Sequence, residues 1–134
     1  MTELFQRIQP RQKFQISVSE IAQFLNIPQH LIVRVECWAY IVFVHRRDVG
    51  GQFISYRKLR HWQNAIACQI QKSSTWQQLQ KLFSEIVEDS NKHFKQYEET
   101  TYQFLRQIWN QRRSEVLLSD RAIAPYGNAP GAIA

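Results

Sequence analysis

Residues Ile16 to Leu59 carry the clearest structural signals in the sequence: ISVSEIAQFLNIPQHLIVRVECWAYIVFVHRRDVGGQFISYRKL. Its residues Ser17-Val18-Ser19-Glu20 fit a capping box, in which a serine hydroxyl and a glutamate carboxylate satisfy free amides at the start of a helix. Apolar residues follow at helical spacing as far as Leu25. Asn26-Ile27-Pro28 then predicts the end of this helix, because asparagine tolerates a left-handed backbone and proline disfavours an α conformation just before it.

A second helix is predicted from Gln29 to about Trp38, with Leu31, Ile32 and Val35 on its buried side. Its outward residues would be Gln29, His30, Val33 and Arg34. Two helices joined by a short turn, the second with a polar N-terminal face, are typical of a DNA-binding helix–turn–helix. An ordinary helical hairpin within a core is the alternative interpretation.

A β-hairpin is predicted next, with arms Tyr40–Val44 and Gln52–Tyr56 around the turn Asp48-Val49-Gly50-Gly51. The segment from Arg46 to Arg60 holds five basic residues and one aspartate. Such a charge run is often only a solvated face, but here it adjoins the predicted helix–turn–helix. The order of helix, turn, helix and basic hairpin indicates a winged DNA-binding domain.

The residues that carry a family resemblance are Ser19-Glu20-Ile21-Ala22, Asn26-Ile27, Glu36, Arg46-Arg47 and Ser55-Tyr56-Arg57-Lys58-Leu59. Together they resemble the winged-helix domain of MerR-type transcriptional regulators. Two segments depart from that family: Val33-Arg34-Val35-Glu36 stands where Arg-Tyr-Tyr-Glu is expected, and Gln52 stands near the place of a wing arginine. The DNA contacts would therefore be partly rebuilt. Excisionase-like domains share the same outline and are the nearest alternative.

The resemblance implies a homodimer that binds a pseudo-palindromic site in double-stranded DNA. Base or groove contacts are assigned to Gln29, His30 and Arg34, with Val33 on a thymine methyl. Phosphate contacts are assigned to Arg46, Arg47, Gln52, Arg57 and Lys58. A repressor is favoured over an activator, because a short chain without a sensor domain has little that could respond to a signal. Small repressors of this type also occur near mobile elements. The alternatives are an excisionase-like architectural factor and a protein-interaction adaptor that has lost DNA binding.

The charge distribution also favours nucleic acid as the partner. Residues 1–72 hold ten Lys or Arg and four Asp or Glu, whereas residues 73–134 hold seven of each. All of the net charge of +6 therefore lies in the part that carries the predicted DNA-binding elements. An anionic membrane surface is the weaker candidate, because no basic amphipathic helix is present to insert into it.

The expected fold class is mainly α with a small β-hairpin, a winged helix–turn–helix followed by C-terminal helices that form a dimerisation arm. The expected segments are a short N-terminal helix and linker (1–15), the DNA-binding domain (16–72), the C-terminal helical region (73–118) and a flexible tail (119–134). An aromatic stripe at helical spacing is assigned to dimerisation: Phe94, Tyr97, Phe104, Leu105, Ile108 and Trp109. The same stripe could instead close the core of a single protomer.

Several classes of function are not expected. The sequence has no recognisable catalytic motif, so we expect no enzyme and no cofactor. The two cysteines, Cys37 and Cys68, and the four histidines have no metal-ligand spacing, so we expect no metal site. We also expect no small-molecule effector, because nothing polar converges on the aromatic arm. No signal peptide or membrane span is expected, which predicts a cytoplasmic, nucleoid-associated protein.

Overall fold

The computed structural model describes residues 1–123 of the chain. Its α-helices are α1 (Glu3–Ile8), α2 (Pro10–Lys13), α3 (Val18–Leu25), α4 (Arg60–Lys72), α5 (Trp76–Lys92) and α6 (Glu99–Ile123). Its strands are β1 (Ile32–Cys37), β2 (Val42–Arg46) and β3 (Gly50–Ile54), and short 3₁₀ turns occur at Gln29–Leu31, Tyr56–Lys58 and Phe94–Gln96. The strands form one antiparallel sheet in the order β1-β2-β3. The expectation of a mainly helical fold with a small β-hairpin is confirmed.

The start and end of α3 follow from the capping residues in the sequence. The Ser17 hydroxyl accepts a hydrogen bond from the amide of Glu20 at 3.1 Å, and the Glu20 carboxylate accepts one from the amide of Ser17 at 2.9 Å. At the other end Asn26 adopts the left-handed conformation, with φ of 57°. The predicted capping box and the predicted helix stop are both confirmed.

The predicted second helix from Gln29 to Trp38 is wrong. Only the single 3₁₀ turn Gln29–Leu31 forms, and strand β1 follows at once. Three β-branched residues, Ile32, Val33 and Val35, favour an extended backbone. Pairing with β2 then supplies the backbone hydrogen bonds that a helix would have supplied locally.

The predicted hairpin is confirmed, with its strands at Val42–Arg46 and Gly50–Ile54. Gly50 has φ of +83°, a left-handed value that glycine adopts without steric cost. This conformation closes the connection between Arg46 and Gly50, which are partners in the register. In the sheet β2 is the central strand, and β1 and β3 are the two edge strands.

One buried apolar cluster contains residues from α1, α3, the sheet and all three long helices. Its largest fully buried side chains are Trp62 of α4 and Tyr56, which follows β3. The ring of Phe5 from α1 packs 5.8 Å from Trp62 and 6.2 Å from Tyr56, measured between ring centroids. The N-terminal helix is therefore part of the core that also supports one face of the sheet.

Helix α6 extends to Ile123, so residues 119–123 of the predicted tail lie within this helix. The rest of the predicted tail, 124–134, lies outside the described residues. Among residues 1–123, no helix has the length and apolar character needed to cross a membrane.

Candidate functional site

The side of the sheet that faces away from the core forms the candidate site, which we call the outer face. On β2, Val42 and Val44 are fully buried, and the side chains between and after them, Phe43 and His45, lie on the opposite side. The strand register aligns Glu36, Phe43 and Phe53 in one row across the sheet, and Arg34, His45 and Gly51 in the next. The outer face consists of these six residues and Trp38, which directly follows β1.

Three aromatic rings make up one end of the outer face. Trp38 stacks on Phe43 with a centroid distance of 5.1 Å and an interplanar angle of 14°. Phe53 meets Trp38 edge-on at 5.4 Å and lies 5.5 Å from Phe43. Trp38 is 42% exposed and Phe53 is 54% exposed. The cluster therefore presents large aromatic surfaces to solvent while its rings hold one another in place.

Gly51 fixes the position of the Phe43 ring. A Cβ atom built on Gly51 would lie 2.8 Å from Cε1 of Phe43, closer than such atoms normally approach. Only glycine lets the ring lie against β3 at this point. The aromatic cluster thus depends on a residue with no side chain of its own.

A polar network occupies the other part of the outer face. Arg34 donates from Nε to the Glu36 carboxylate at 2.5 Å, and its Nη1 lies 3.0 Å from Nδ1 of His45. Because arginine has only donors, Nδ1 of His45 accepts this bond. The Trp38 indole donates to Glu36 at 3.0 Å; this bond and then Arg34 keep the pKa of Glu36 below its usual value. The network orients both the Arg34 guanidinium and the Trp38 ring.

The four residues assigned to a recognition helix do not share a helical face. Gln29 and His30 lie in the 3₁₀ turn, and Val33 and Arg34 lie on β1. Val33 is the extra residue of an irregularity in the pairing of β1 with β2. All four are exposed, but of these only Arg34 belongs to the outer face. Contacts by a recognition helix are therefore ruled out for this segment as it is folded here.

Arg57, assigned to phosphate, is a buried structural residue. Its side chain is 7% exposed and forms an ion pair with Asp89 of α5, with Nη2 and Oδ1 2.6 Å apart. Its guanidinium also lies 5.1 Å from the ring centroids of Phe5 and Trp62. The assignment of Arg57 to DNA is wrong, because its charge is satisfied inside the core.

The other assigned phosphate residues fall into two groups. Arg46 forms an ion pair with Asp48 at 2.8 Å and donates to Gln52 at 2.8 Å, so its charge is compensated within the hairpin. The Asp48 bond raises the pKa of Arg46 above its ordinary value and keeps the pKa of Asp48 low. Arg47 and Lys58 are exposed and form no ion pair with an acid in residues 1–119, although Arg47 donates from Nε to the carbonyl of His30 at 3.0 Å. Only these two keep the free charge that a phosphate contact needs.

The fully buried Asp89 is a central residue that sequence reasoning missed. Its carboxylate accepts hydrogen bonds from the Thr2 hydroxyl at 2.5 Å, from Arg57 at 2.6 and 2.7 Å, and from the Tyr97 hydroxyl at 2.5 Å. Burial opposes its charged form, but the bonds from Arg57, Thr2 and Tyr97 outweigh this and lower its pKa. Burial and the bond to Asp89 raise the pKa of Tyr97. The network joins the N-terminus, the end of the sheet and the C-terminal helices.

The six residues assigned to dimerisation lie mostly against the protomer's own core. Tyr97 and Leu105 are buried, and Phe104, Ile108 and Trp109 are half-buried against the same cluster. Phe94 is 62% exposed. The assignment of Tyr97 and Leu105 to a subunit interface is wrong, because both close the protomer's core. The homodimer itself stays a prediction.

Two further features of the described residues bear on ligands. A cleft of about 260 Å³ lies between α5 and α6, with Phe83, Val87, Tyr102 and Trp109 among the residues that line it. In the part of the chain that the structure covers, no three His, Cys, Asp or Glu side chains are grouped so that they could hold a metal ion.

Comparison of the chain with protein-family models, with curated proteins and with solved structures gave no match.

Proposed function

We propose that this protein binds nucleic acid, with DNA as the expected partner, and that the contact surface is the outer face of the β-sheet. The proposal is carried by one observation. An exposed sheet face combines three aromatic rings with Arg34 and His45, and it lies in the half of the chain that holds all of the net positive charge. Polyanions are attracted to such a surface, and aromatic rings and arginine are the side chains that contact bases.

The free charges in residues 1–72 support the electrostatic part of the proposal. Four of the ten basic residues are held in ion pairs, namely Arg7, Arg34, Arg46 and Arg57. The other six are exposed and form no ion pair with a described acid: Arg11, Lys13, Arg47, Lys58, Arg60 and Lys72. Each such cation that meets a phosphate releases a counterion, which favours binding at low salt regardless of sequence.

In this proposal the sheet has the role that the sequence pattern gave to a recognition helix. Strands as well as helices enter DNA grooves in known modes of recognition. Arg34 would add a base contact through the donors that Glu36 and His45 leave unused, since only its Nε and Nη1 are engaged. The winged helix–turn–helix is not carried into the proposal, since its second helix is replaced by β1. Repression and a palindromic site stay predictions from the sequence.

The test is fluorescence anisotropy with labelled DNA of mixed sequence, both duplex and single-stranded, over a series of salt concentrations. We expect binding that weakens with salt, and the double variant Arg47→Ala/Lys58→Ala should lower the log–log slope by roughly one unit for each phosphate that is no longer neutralised. Lys81→Ala, an exposed cation on α5, is the matched control and should leave the slope unchanged.

Absence of binding to either form of DNA at low salt would overturn the proposal. An equal loss of affinity in the control and the double variant would also contradict it, because the basic half would then have no special role. In either case the adaptor alternative would become the leading hypothesis.

A further inference from the structure

We propose that the ligand of the outer face is a single-stranded nucleic acid whose bases stack on Trp38 and Phe53. This inference rests on the proposed function and narrows it to one class of ligand. It goes against the sequence-based expectation of a double-stranded site.

The exposed groups of the outer face suit unpaired bases better than a duplex. Trp38 and Phe53 present aromatic surface, and in a duplex the flat faces of the bases are covered by their neighbours. Unpaired bases, in contrast, stack on aromatic side chains with little dependence on sequence. Duplex recognition needs donors and acceptors aimed at base edges. On this face Nε and Nη1 of Arg34 are already engaged by Glu36 and His45, whereas Trp38 and Phe53 are exposed to solvent.

The layout of the face suits a short single strand. Arg34 lies on β1, and Trp38 directly follows that strand, four residues further on. At the rise of a β-strand the two residues are separated by about 13 Å. The hairpin end of the face carries Arg34 and His45, with Arg47, which has no described acidic partner, directly after β2, and the opposite end carries the rings. A strand lying along β1 would bring its backbone to the basic end and stack about two or three bases on the rings.

The rings are also preorganised for stacking. Trp38 is held by its ring contact with Phe43 and by the hydrogen bond from its indole to Glu36. Gly51 keeps the ring of Phe43 close to the sheet. A fixed ring loses little conformational freedom on binding, so more of the stacking free energy appears as affinity. The negative charge of Glu36 is compensated by Arg34, so the face does not repel a phosphate backbone.

Charge complementarity selects nucleic acid over an apolar protein segment as the occupant. Residues 1–72, which include the whole outer face, carry a net charge of +6, and neither Arg47 nor Lys58 is paired with a described acid. An apolar peptide would gain from the rings but nothing from these charges. A polyanion with aromatic bases uses both.

The test measures binding of labelled oligodeoxythymidine, oligouridine and a mixed-sequence DNA hairpin duplex to the full chain and its variants. Trp38→Ala and Phe53→Leu should each weaken binding of the single strands by roughly ten- to a hundredfold. Phe53→Leu keeps an apolar side chain and removes the ring, so it separates stacking from simple apolar contact. Trp38→Phe should retain most of the affinity. Phe94→Ala, an exposed aromatic residue outside the sheet, should have no effect.

A second readout does not depend on the labelled strand. Stacking should quench the fluorescence of Trp38, and the quenching should disappear in Trp38→Phe while binding persists. Circular dichroism and urea unfolding of each variant show whether it folds. The oligodeoxythymidine and oligouridine arms distinguish DNA from RNA, because only RNA offers 2′-hydroxyls.

The outcomes separate this inference from the proposed function. Tight binding to the duplex with none to the single strands overturns the stacking inference and leaves nucleic-acid binding intact. Binding to the single strands that Phe53→Leu and folded Trp38→Ala leave unchanged also overturns it. Binding to none of the three probes at low salt overturns both.

Discussion

Replacement of Asp89 by alanine should be among the most destabilising single changes in this protein. The Asp89 carboxylate is fully buried and accepts four hydrogen bonds, two of them from the Arg57 guanidinium. The variant removes the only described anion that compensates Arg57, which would stay enclosed between the rings of Phe5 and Trp62. A charge left unpaired in a core costs far more than the pair contributed.

The magnitude follows from the burial of both partners. Removal of one member of a buried ion pair typically costs about 3–5 kcal/mol, and a domain of this size is stable by about 5–15 kcal/mol in total. With a urea dependence of about 2 kcal/mol per molar, a loss of about 4 kcal/mol lowers the unfolding midpoint by about 2 M.

The assay is urea unfolding followed by circular dichroism. Glu88→Ala is the matched control, because Glu88 precedes Asp89 on α5 and forms an exposed ion pair with Lys92. Exposed pairs contribute about 0–1 kcal/mol, so its midpoint should change little. The double variant Arg57→Met/Asp89→Leu should recover most of the stability, since it removes both charges. A loss below about 1 kcal/mol in Asp89→Ala would refute this account of the core.

Three further predictions concern the same fold. Gly51→Ala should destabilise by about 1–3 kcal/mol in urea unfolding, because its Cβ would push the Phe43 ring from its place; unchanged stability would show that the ring moves freely. Ser17→Ala removes the cap of α3 and should cost about 1 kcal/mol in the same assay, with Ser19→Ala as an unaffected neighbour. The pKa of Asp89 lies below its unfolded value, so its stabilisation is complete above an unfolded pKa of about 3.9 and is lost as the pH falls through the lower folded pKa. Urea unfolding at decreasing pH should show this loss in the natural protein, and Asp89→Asn should lack that component.

Short sequence motifs were sufficient to predict where helix α3 begins and ends. The capping box at Ser17 and Glu20 and the left-handed Asn26 needed only neighbouring residues to define them. The structure shows a second capping box of the same local kind at Thr75 and Gln78, at the start of α5. In each case the partner atoms lie within four residues in the chain.

The segment Ile32–Cys37 shows why the candidate site could not be predicted. Leu31, Ile32 and Val35 fit helical spacing, yet Arg34 and Glu36 also alternate with Val35 and Cys37 as in a half-buried strand. The segment is a strand because it pairs with β2, and the spacing of residues within the segment does not reveal that contact. The outer face exists only because this segment is extended.

Contacts with residues that are distant in the sequence explain the two other wrong predictions, which concern Arg57 and the pair Tyr97 and Leu105. Arg57 belongs to a basic run in the sequence, and the aspartate that binds it lies 32 residues further along the chain. Tyr97 and Leu105 have the spacing of a helix–helix seam, but spacing cannot tell whether the facing helix belongs to the same protomer. In the fold described here they face their own core.

The most direct test of nucleic-acid binding by the outer face is a titration of ¹⁵N-labelled protein with short oligonucleotides, followed by NMR amide shifts. We expect the largest shifts on residues 34–38, 43–47 and 51–53, which surround the outer face. Absence of any shift at low salt would contradict nucleic-acid binding altogether. Shifts concentrated on α3 and residues 29–31, with the sheet unaffected, would contradict the outer face as the site and favour contacts near the segment first assigned to a recognition helix.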